Sequence, residues 1–345
     1  MKLQNRYLVV GSGSAGKRHI ECIKKIDPDS EVRLFRKTKT ETESIANVKE
    51  ISEIGQVIDF LPNIAIIANP STFHLETAEQ LLALQCDMLI EKPLSDSLDK
   101  AIAFYKIGFD SKQIISVGYN LRFNILIMQL KDYLLSSVIG EIFTLSIIVG
   151  HNLIYWRKSG DYRNQVSAQK KLGGGVLLEL SHEFDYLHWI LGDLEWVWAD
   201  TYKKSNLEID VEDSAHIIMG FAPSTLGNQV TASLNLDFIR ADKTREIQVI
   251  GELGTIKIDL IAGYIQILGN NGSVISKEYV KTEHLGDSYA DQLTDFLECV
   301  ENRAQPKVTL MDGLQTMKTI EMCRRSTVSG NKIYSKNFEL PNLGV

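Results

Sequence analysis

Three glycines lie in the stretch Gly11-Ser12-Gly13-Ser14-Ala15-Gly16, directly after the apolar run Tyr7-Leu8-Val9-Val10 and before a helical segment over 17–26. That spacing suits a dinucleotide. The first glycine permits a tight turn, the second lets the backbone approach a pyrophosphate, and the third lets helix pack on strand. The helix N-terminus then offers backbone N–H groups and the positive end of its dipole to the anion. Gly11, Ser12, Gly13, Ala15 and Gly16 are therefore candidate cofactor contacts, the plainer alternative being a glycine turn with no ligand.

The next apolar run, Val32-Arg33-Leu34-Phe35, ends in Arg36-Lys37. NAD sites usually place a carboxylate about 20 residues beyond the glycines, where it binds the ribose hydroxyls. Arg36 stands 20 residues beyond Gly16. A guanidinium can pair with a 2′-phosphate, so Arg36 and Lys37 favour NADP(H), with NAD(H) or a merely basic turn as the alternatives.

Lys92 follows the apolar run Met88-Leu89-Ile90 and precedes Pro93, which fixes the backbone. It therefore belongs at the carboxyl end of a buried strand, where open parallel sheets bind ligands. Taken alone, it could equally be a solvated strand-end lysine. Further on, Gly173-Gly174-Gly175 opens a helix expected over 176–191. At about 100° per residue, Leu177, Leu180, Phe184, Leu187 and Leu191 form its core stripe. Glu179 and His182 fall about 60° apart and away from that stripe. A carboxylate beside an imidazole suits acid/base work, with an ordinary polar face as the alternative. Asp185 lies on the same helix, and which of Glu179 and Asp185 assists His182 stays open. His188 lies near the stripe and reads as a core histidine, and Asp213 reads as a turn carboxylate.

The segment Tyr155-Trp156-Arg157-Lys158-Ser159-Gly160-Asp161-Tyr162-Arg163 has neither helical nor strand periodicity. Arginine clamps carboxylate or phosphate bidentately, and aromatic faces stack on sugars. Trp156, Arg157, Tyr162 and Arg163 are therefore candidate contacts to an acidic or nucleotide-linked sugar. A surface loop pinned by its tryptophan is the alternative.

The elements that must position these groups divide the chain near residue 120. Before it, short apolar runs alternate with amphipathic stretches, clearest over 71–84 and 94–107, which implies βαβ units and a parallel sheet. After it come a helix over 125–136, the helix at 176–191, and closely spaced β-rich runs between 196 and 279 separated by short turns. These imply a largely antiparallel sheet. Two helices, expected over 288–302 and 311–329, follow.

Several of these stretches resemble the Gfo/Idh/MocA oxidoreductases, named after glucose-fructose oxidoreductase and inositol dehydrogenase. They are Ile66-Ile67-Ala68-Asn69-Pro70-Ser71-Thr72-Phe73-His74, Glu91-Lys92-Pro93-Leu94, Val117-Gly118-Tyr119-Asn120-Leu121-Arg122-Phe123, Gly173-Gly174-Gly175 with His182 and Asp185, and Gln305-Pro306 with Asp312-Gly313. The resemblance runs in order over nearly the whole chain. It implies an α/β protein with a Rossmann domain over 1–120 and a substrate-binding α/β domain with a large open antiparallel sheet over 121–345. It also implies hydride transfer between a nicotinamide and a hydroxyl or keto carbon of a sugar or cyclitol. Lys92 would sit beside the reacting oxygen, with His182 as general acid/base. Asn69, Pro70, His74, Glu91 and Asn120 would line the cofactor side, Arg122 and Asp185 the substrate side, and the open sheet would build a homodimer or homotetramer. The chain departs from the family where Leu178 stands four residues before His182, a position often held by Asp. A polyol or inositol dehydrogenase and a non-catalytic dinucleotide sensor are the rival functions.

Composition narrows the field. The 345 residues leave room for two domains at about 150 residues each. With 44% hydrophobic residues the chain is no disordered tail. A net charge of −7 argues against a general nucleic-acid or membrane-surface binder. No apolar stretch reaches the roughly 18 residues of a membrane span, and the N-terminus reads as a strand rather than a secretory signal. The four cysteines, at 22, 86, 299 and 323, lack metal-site spacing and suit a reducing cytoplasm.

Overall fold

The computed structural model describes residues 4–36, 48–156, 160–280 and 288–338. Packing divides the chain into two units, one running as far as Asn120 and including Ser288–Met317, the other formed by the rest.

The first unit alternates strands and helices as expected: β1 (Arg6–Val10), α1 (Ser14–Ile26), β2 (Glu31–Phe35), β3 (Lys49–Ile51), α2 (Ile54–Phe60), β4 (Ile64–Ile67), α3 (His74–Ala83), β5 (Asp87–Ile90), α4 (Leu98–Phe109) and β6 (Ile115–Val117). The strands form one parallel sheet in the order β3-β2-β1-β4-β5-β6. Its middle strands are buried on both faces, with four consecutive buried residues in each of β1, β4 and β5; this is why, Asp87 of β5 apart, those buried residues are apolar. Two helices begin later than their periodicity suggests. A 3₁₀ turn occupies Ser71–Phe73 before α3, and Ser97 caps α4 by accepting from the Lys100 N–H at 3.5 Å.

The first unit's leading segment ends at Asn120, and the second unit is made of two stretches, Leu121–Asp287 and Lys318–Val345. Helix α8 (Ser288–Asn302) and the first turns of α9 (Leu310–Ser329) return to the first unit. Leu293 and Phe296 of α8 enter the same core as Tyr7, Ile20, Leu34 and Ile66. Burying two such side chains contributes roughly 1.5–3 kcal/mol each. An amphipathic pattern announces a buried face without saying which sheet receives it.

The second unit contains α5 (Ile125–Leu135), β7 (Ile142–Gly150), α6 (Val176–Glu179), α7 (His182–Leu191), β8 (Leu194–Tyr202), β9 (Ser214–Phe221), β10 (Thr231–Asp237), β11 (Thr244–Gly251), β12 (Gly254–Asp259), β13 (Tyr264–Gly269), β14 (Val274–Tyr279) and β15 (Ile333–Tyr334). These strands form one sheet, β14-β13-β12-β11-β7-β10-β9-β8-β15, antiparallel except for the β7–β10 pair. Alternation along the strands buries one face, for example Leu145, Ile147 and Val149 of β7 beside Ala232, Leu234 and Leu236 of β10. The residues between them, Ser146, Ser233 and Asn235, turn the other way.

The helix expected over 176–191 is in fact two. Leu180 leaves helical geometry at φ −101° and ψ 34°, and α7 restarts at His182. Val176, Leu177, Leu178 and Leu180 are all buried, and no single helical stripe could bury such a run, so the chain turns.

Candidate active site

The three glycines of the first loop play three different parts. Gly11 has φ +101°, and a Cβ there would lie 2.5 Å from the Ala68 carbonyl oxygen. A Cβ on Gly16 would lie 2.1 Å from the Gly11 carbonyl oxygen. Both positions are closed by the protein's own backbone. Gly13 has nothing within 4 Å of its would-be Cβ, so the fold itself does not require glycine there. It is the N-cap of α1, where no side chain caps the helix and no acidic residue occupies the first turn. A pyrophosphate fits this arrangement: open space, helix N–H groups and a favourable dipole meet at one point. Ser12 and Ala15 flank it.

Around that loop the expected cofactor residues behave differently from one another. The Gly11 N–H donates to the Phe35 carbonyl at 3.0 Å, tying the loop to the end of β2. Arg36, next in the chain, pairs through Nη2 with Glu50 Oε2 of β3 at 2.5 Å. Lys37 lies outside the described residues. Asn69 donates from Nδ2 to Thr77 Oγ1 at 3.0 Å, and Pro70 begins the turn before α3. His74 is buried, its ring nitrogens 2.8 Å from the Asn69 carbonyl oxygen and 3.0 Å from that of Pro93. Burial lowers its pKa. Asn120 is buried too, donating to Ser288 Oγ at 2.8 Å. His74 and Asn120 thus brace the segments after β4 and β6.

Lys92 stands just beyond the end of β5, at the carboxyl edge of the sheet. Its backbone N–H donates to Glu91 Oε2 at 3.1 Å, and Glu91 Oε1 lies 2.7 Å from His19 Nε2. Both His19 and Glu91 are buried. Burial pushes the Glu91 carboxyl up, but the hydrogen bond and charge of His19, with the charge of Lys92, outweigh it and hold it below its usual value. Gly118 leaves room for this group, since a Cβ there would come within 2.9 Å of Glu91 Cα. His19 lies on α1, 72 residues before Glu91, so the sequence around it carries no signal of its partner.

In the second unit the glycine triplet is set by packing. A Cβ on Gly174 would meet the Val166 carbonyl oxygen at 2.3 Å, and one on Gly175, at φ +107°, would meet Glu212 Oε1 at 2.5 Å. Glu212 caps α6, accepting from the Val176 N–H with its carbonyl and from the Leu177 N–H with its carboxylate. Burial pushes its carboxyl pKa up. His182 is 8% exposed at the start of α7. The break at Leu180 removes the angular relation that set Glu179 beside His182, because the two residues no longer share one helix. Asp185 accepts two hydrogen bonds from Arg122, at 2.9 Å from Nε and 2.7 Å from Nη2. Both side chains are almost fully buried, so each has the other as its charge partner. Glu183, also on α7, pairs with Arg245 at 2.9 Å, while its Oε2 and the Tyr186 hydroxyl are buried without hydrogen-bond partners among the described residues. His188 bonds Thr319 Oγ1 at 2.8 Å, and Asp213 accepts from the N–H groups of Lys204 and Ser205, as expected of structural groups.

The aromatic segment is held by the protein. Trp156 donates from Nε1 to the His151 carbonyl at 2.7 Å and meets Phe238 edge-on. Tyr162 accepts the Glu208 N–H at 3.1 Å. Arg163 binds Asp161 and Glu208 and borders an open depression of about 540 Å³ that holds no other expected site residue. Arg157 lies outside the described residues. Among the described residues no cluster of His, Cys, Asp and Glu could hold a metal ion, and no helix is long and apolar enough to cross a membrane.

Residues 5–119 match the family described as an oxidoreductase family with an NAD-binding Rossmann fold, and residues 136–334 match its C-terminal alpha/beta domain. The chain belongs to the Gfo/Idh/MocA oxidoreductase family. It is 26% identical over 325 residues to a myo-inositol 2-dehydrogenase of Thermotoga maritima, covering 88% of this chain and 91% of that protein. It is 20% identical over 334 residues to a glucose-6-phosphate 3-dehydrogenase of Bacillus subtilis, covering 91% of this chain and 94% of that protein. The fold matches that of the WlbA dehydrogenase from Bordetella pertussis, solved with NADH and UDP-GlcNAcA, with a TM-score of 0.78 at 18% identity over 96% of this chain and 99% of that one.

The first unit thus places an open glycine at the N-terminus of α1 and a lysine at the carboxyl edge of the same sheet. The second supplies an imidazole at the start of a buried helix.

Proposed function

We propose that this chain transfers a hydride between a nicotinamide dinucleotide and a carbon bearing a hydroxyl or ketone on the ring of a sugar or cyclitol. One observation carries the reading most: Gly11 and Gly16 are closed by backbone while Gly13 opens onto free space at a helix N-terminus. The dinucleotide, when bound, supplies the redox chemistry. The chain's own residues supply orientation and proton movement. Gly13 and the first N–H groups of α1 hold the pyrophosphate. Lys92 donates a hydrogen bond to the oxygen of the reacting carbon and stabilises charge that develops there. His182 takes the hydroxyl proton in oxidation and returns it in reduction.

An acidic or nucleotide-activated sugar was expected from the arginines. Arg122 is held by Asp185, and Arg163 by Asp161 and Glu208, so the substrate class we propose is the broader one, a neutral sugar or cyclitol included. The relatives named above act, by their names, on myo-inositol and glucose 6-phosphate, and both belong in a first panel beside a UDP-uronate. A fluorescence titration with NADH and NADPH, followed by turnover on that panel, tests the reading. Cofactor binding that Gly13→Val abolishes, with turnover that needs Lys92, supports it. Binding without turnover across a broad panel favours a dinucleotide sensor instead. We further propose a cytoplasmic homodimer or homotetramer built on the outward face of the large sheet. Light scattering that finds only monomers would refute this.

A further inference from the structure

Arg36 is not presented alone. Its guanidinium is paired with Glu50 at 2.5 Å, and the two side chains are only 13% and 25% exposed. Glu50 comes from β3, which lies parallel to β2 with Glu50 opposite Leu34, and the Arg36 N–H donates to the Ile51 carbonyl at 3.1 Å. The carboxylate therefore lies alongside the end of β2, the strand to which the glycine loop is tied through Gly11 and Phe35. Its two oxygens are used differently. Oε2 accepts from Arg36, while Oε1 is shielded from solvent and has no hydrogen-bond partner among the described residues. A carboxylate oxygen can only accept, so what it lacks is a donor. A hydroxyl is a donor and a phosphate dianion is not.

Resting on the nicotinamide-dinucleotide reading above, we propose that Glu50 reads the adenosine ribose. In this arrangement Oε1 accepts the 2′-hydroxyl of NAD(H), and Arg36 serves as the counter-ion of Glu50 rather than as a receptor for a 2′-phosphate. The acid that Rossmann sites usually place at the end of the second strand comes here from the third. A 2′-phosphate would face a carboxylate whose cation is already shared, and like charges brought together oppose binding. The chain thus prefers NAD(H), the reverse of what Arg36 alone suggests.

The test is a direct binding titration, following quenching of tryptophan fluorescence or enhancement of nicotinamide fluorescence, with NADH and NADPH in turn. It uses the unmodified protein, Glu50→Gln, Glu50→Ala and Arg36→Met. NADH binds the unmodified protein at least about tenfold more tightly than NADPH, from the like-charge cost. Glu50→Gln keeps the shape and removes the charge, so NADPH gains and the preference shrinks by about tenfold or more. Glu50→Ala does the same while weakening NADH further. Arg36→Met frees the carboxylate and weakens both cofactors; if Arg36 were the phosphate receptor it would weaken NADPH alone. Tighter binding of NADPH by the unmodified protein, or a ratio unchanged within twofold in both Glu50 variants, overturns the inference. Retained binding in any variant shows that it folds. If neither cofactor binds the unmodified protein, or if Gly13→Val leaves binding intact, the dinucleotide reading itself fails. If both bind through the glycine loop and only the ratio ignores Glu50, the inference fails alone.

Discussion

Replacing Arg122 by methionine removes the guanidinium that donates two hydrogen bonds to the buried Asp185 carboxylate. Arg122 and Asp185 are 4% and 1% exposed and share two hydrogen bonds of 2.9 and 2.7 Å. Screening by solvent, which makes surface pairs worth little, is therefore absent. Removing one partner of such a pair costs about 3–5 kcal/mol. Both residues lie in the second unit, a body of roughly 200 residues, for which each kcal/mol moves Tm by about 2–4 °C. Arg122→Met and Asp185→Leu should each lower Tm by about 6–20 °C. The double variant should recover most of the loss, because apolar replacement of a whole buried pair is often neutral or stabilising. All four tryptophans, at 156, 189, 196 and 198, belong to this unit, so the melt followed by tryptophan fluorescence reports it specifically. Single variants within about 1 kcal/mol of the parent, as for a surface pair, or a double variant as unstable as the sum of the singles, would refute the reasoning.

The glycine loop should separate fold from ligand. Gly16→Ala drives a Cβ into the Gly11 carbonyl and should lower Tm, whereas Gly13→Ala should leave Tm unchanged and weaken cofactor in a titration. Lys92→Ala and His182→Ala should each lower turnover by about 10²–10⁴-fold with cofactor affinity retained, and full turnover in both would place the chemistry elsewhere. Glu212 gives a signed pH effect. Its folded pKa is raised by burial above the usual 4.5, so the folded protein favours the protonated form, and that contribution is present at low pH and lost as pH rises through the folded value. Glu212→Gln should therefore be more stable than the parent at neutral pH, and the gap should close below pH about 4; a gap independent of pH would contradict this.

Much of the fold was legible because it rests on local regularities. The apolar runs of β1, β4 and β5 and the strand-turn-strand rhythm from β11 to β14 follow from side-chain periodicity, which a single segment carries by itself. What escaped were elements too short to show a period, such as β3 and α2, and destinations, such as the return of α8 to the first sheet. The break between α6 and α7 escaped for a related reason. A helical wheel assumes one axis, and four apolar side chains within Val176–Leu180 required two.

The candidate site was legible in kind but not in availability. A glycine declares its freedom in the sequence, yet only the backbone around it shows whether the protein or a ligand uses the space, which is how Gly13 separates from Gly11 and Gly16. The charged residues show the same gap more sharply. Arg36 and Arg163 were expected to meet an anion of the ligand and Arg122 to reach the substrate, and each meets a carboxylate of the protein: Glu50, the pair Asp161 and Glu208, and Asp185. Two of these three arginines draw a partner from a distant part of the chain on another strand or helix, so no local spacing could reveal it. A charge count along a sequence therefore overstates the groups free to bind a ligand. An arginine that already has its carboxylate is by itself no sign of a phosphate site, and on the inference proposed above the carboxylate oxygen left over awaits a hydroxyl.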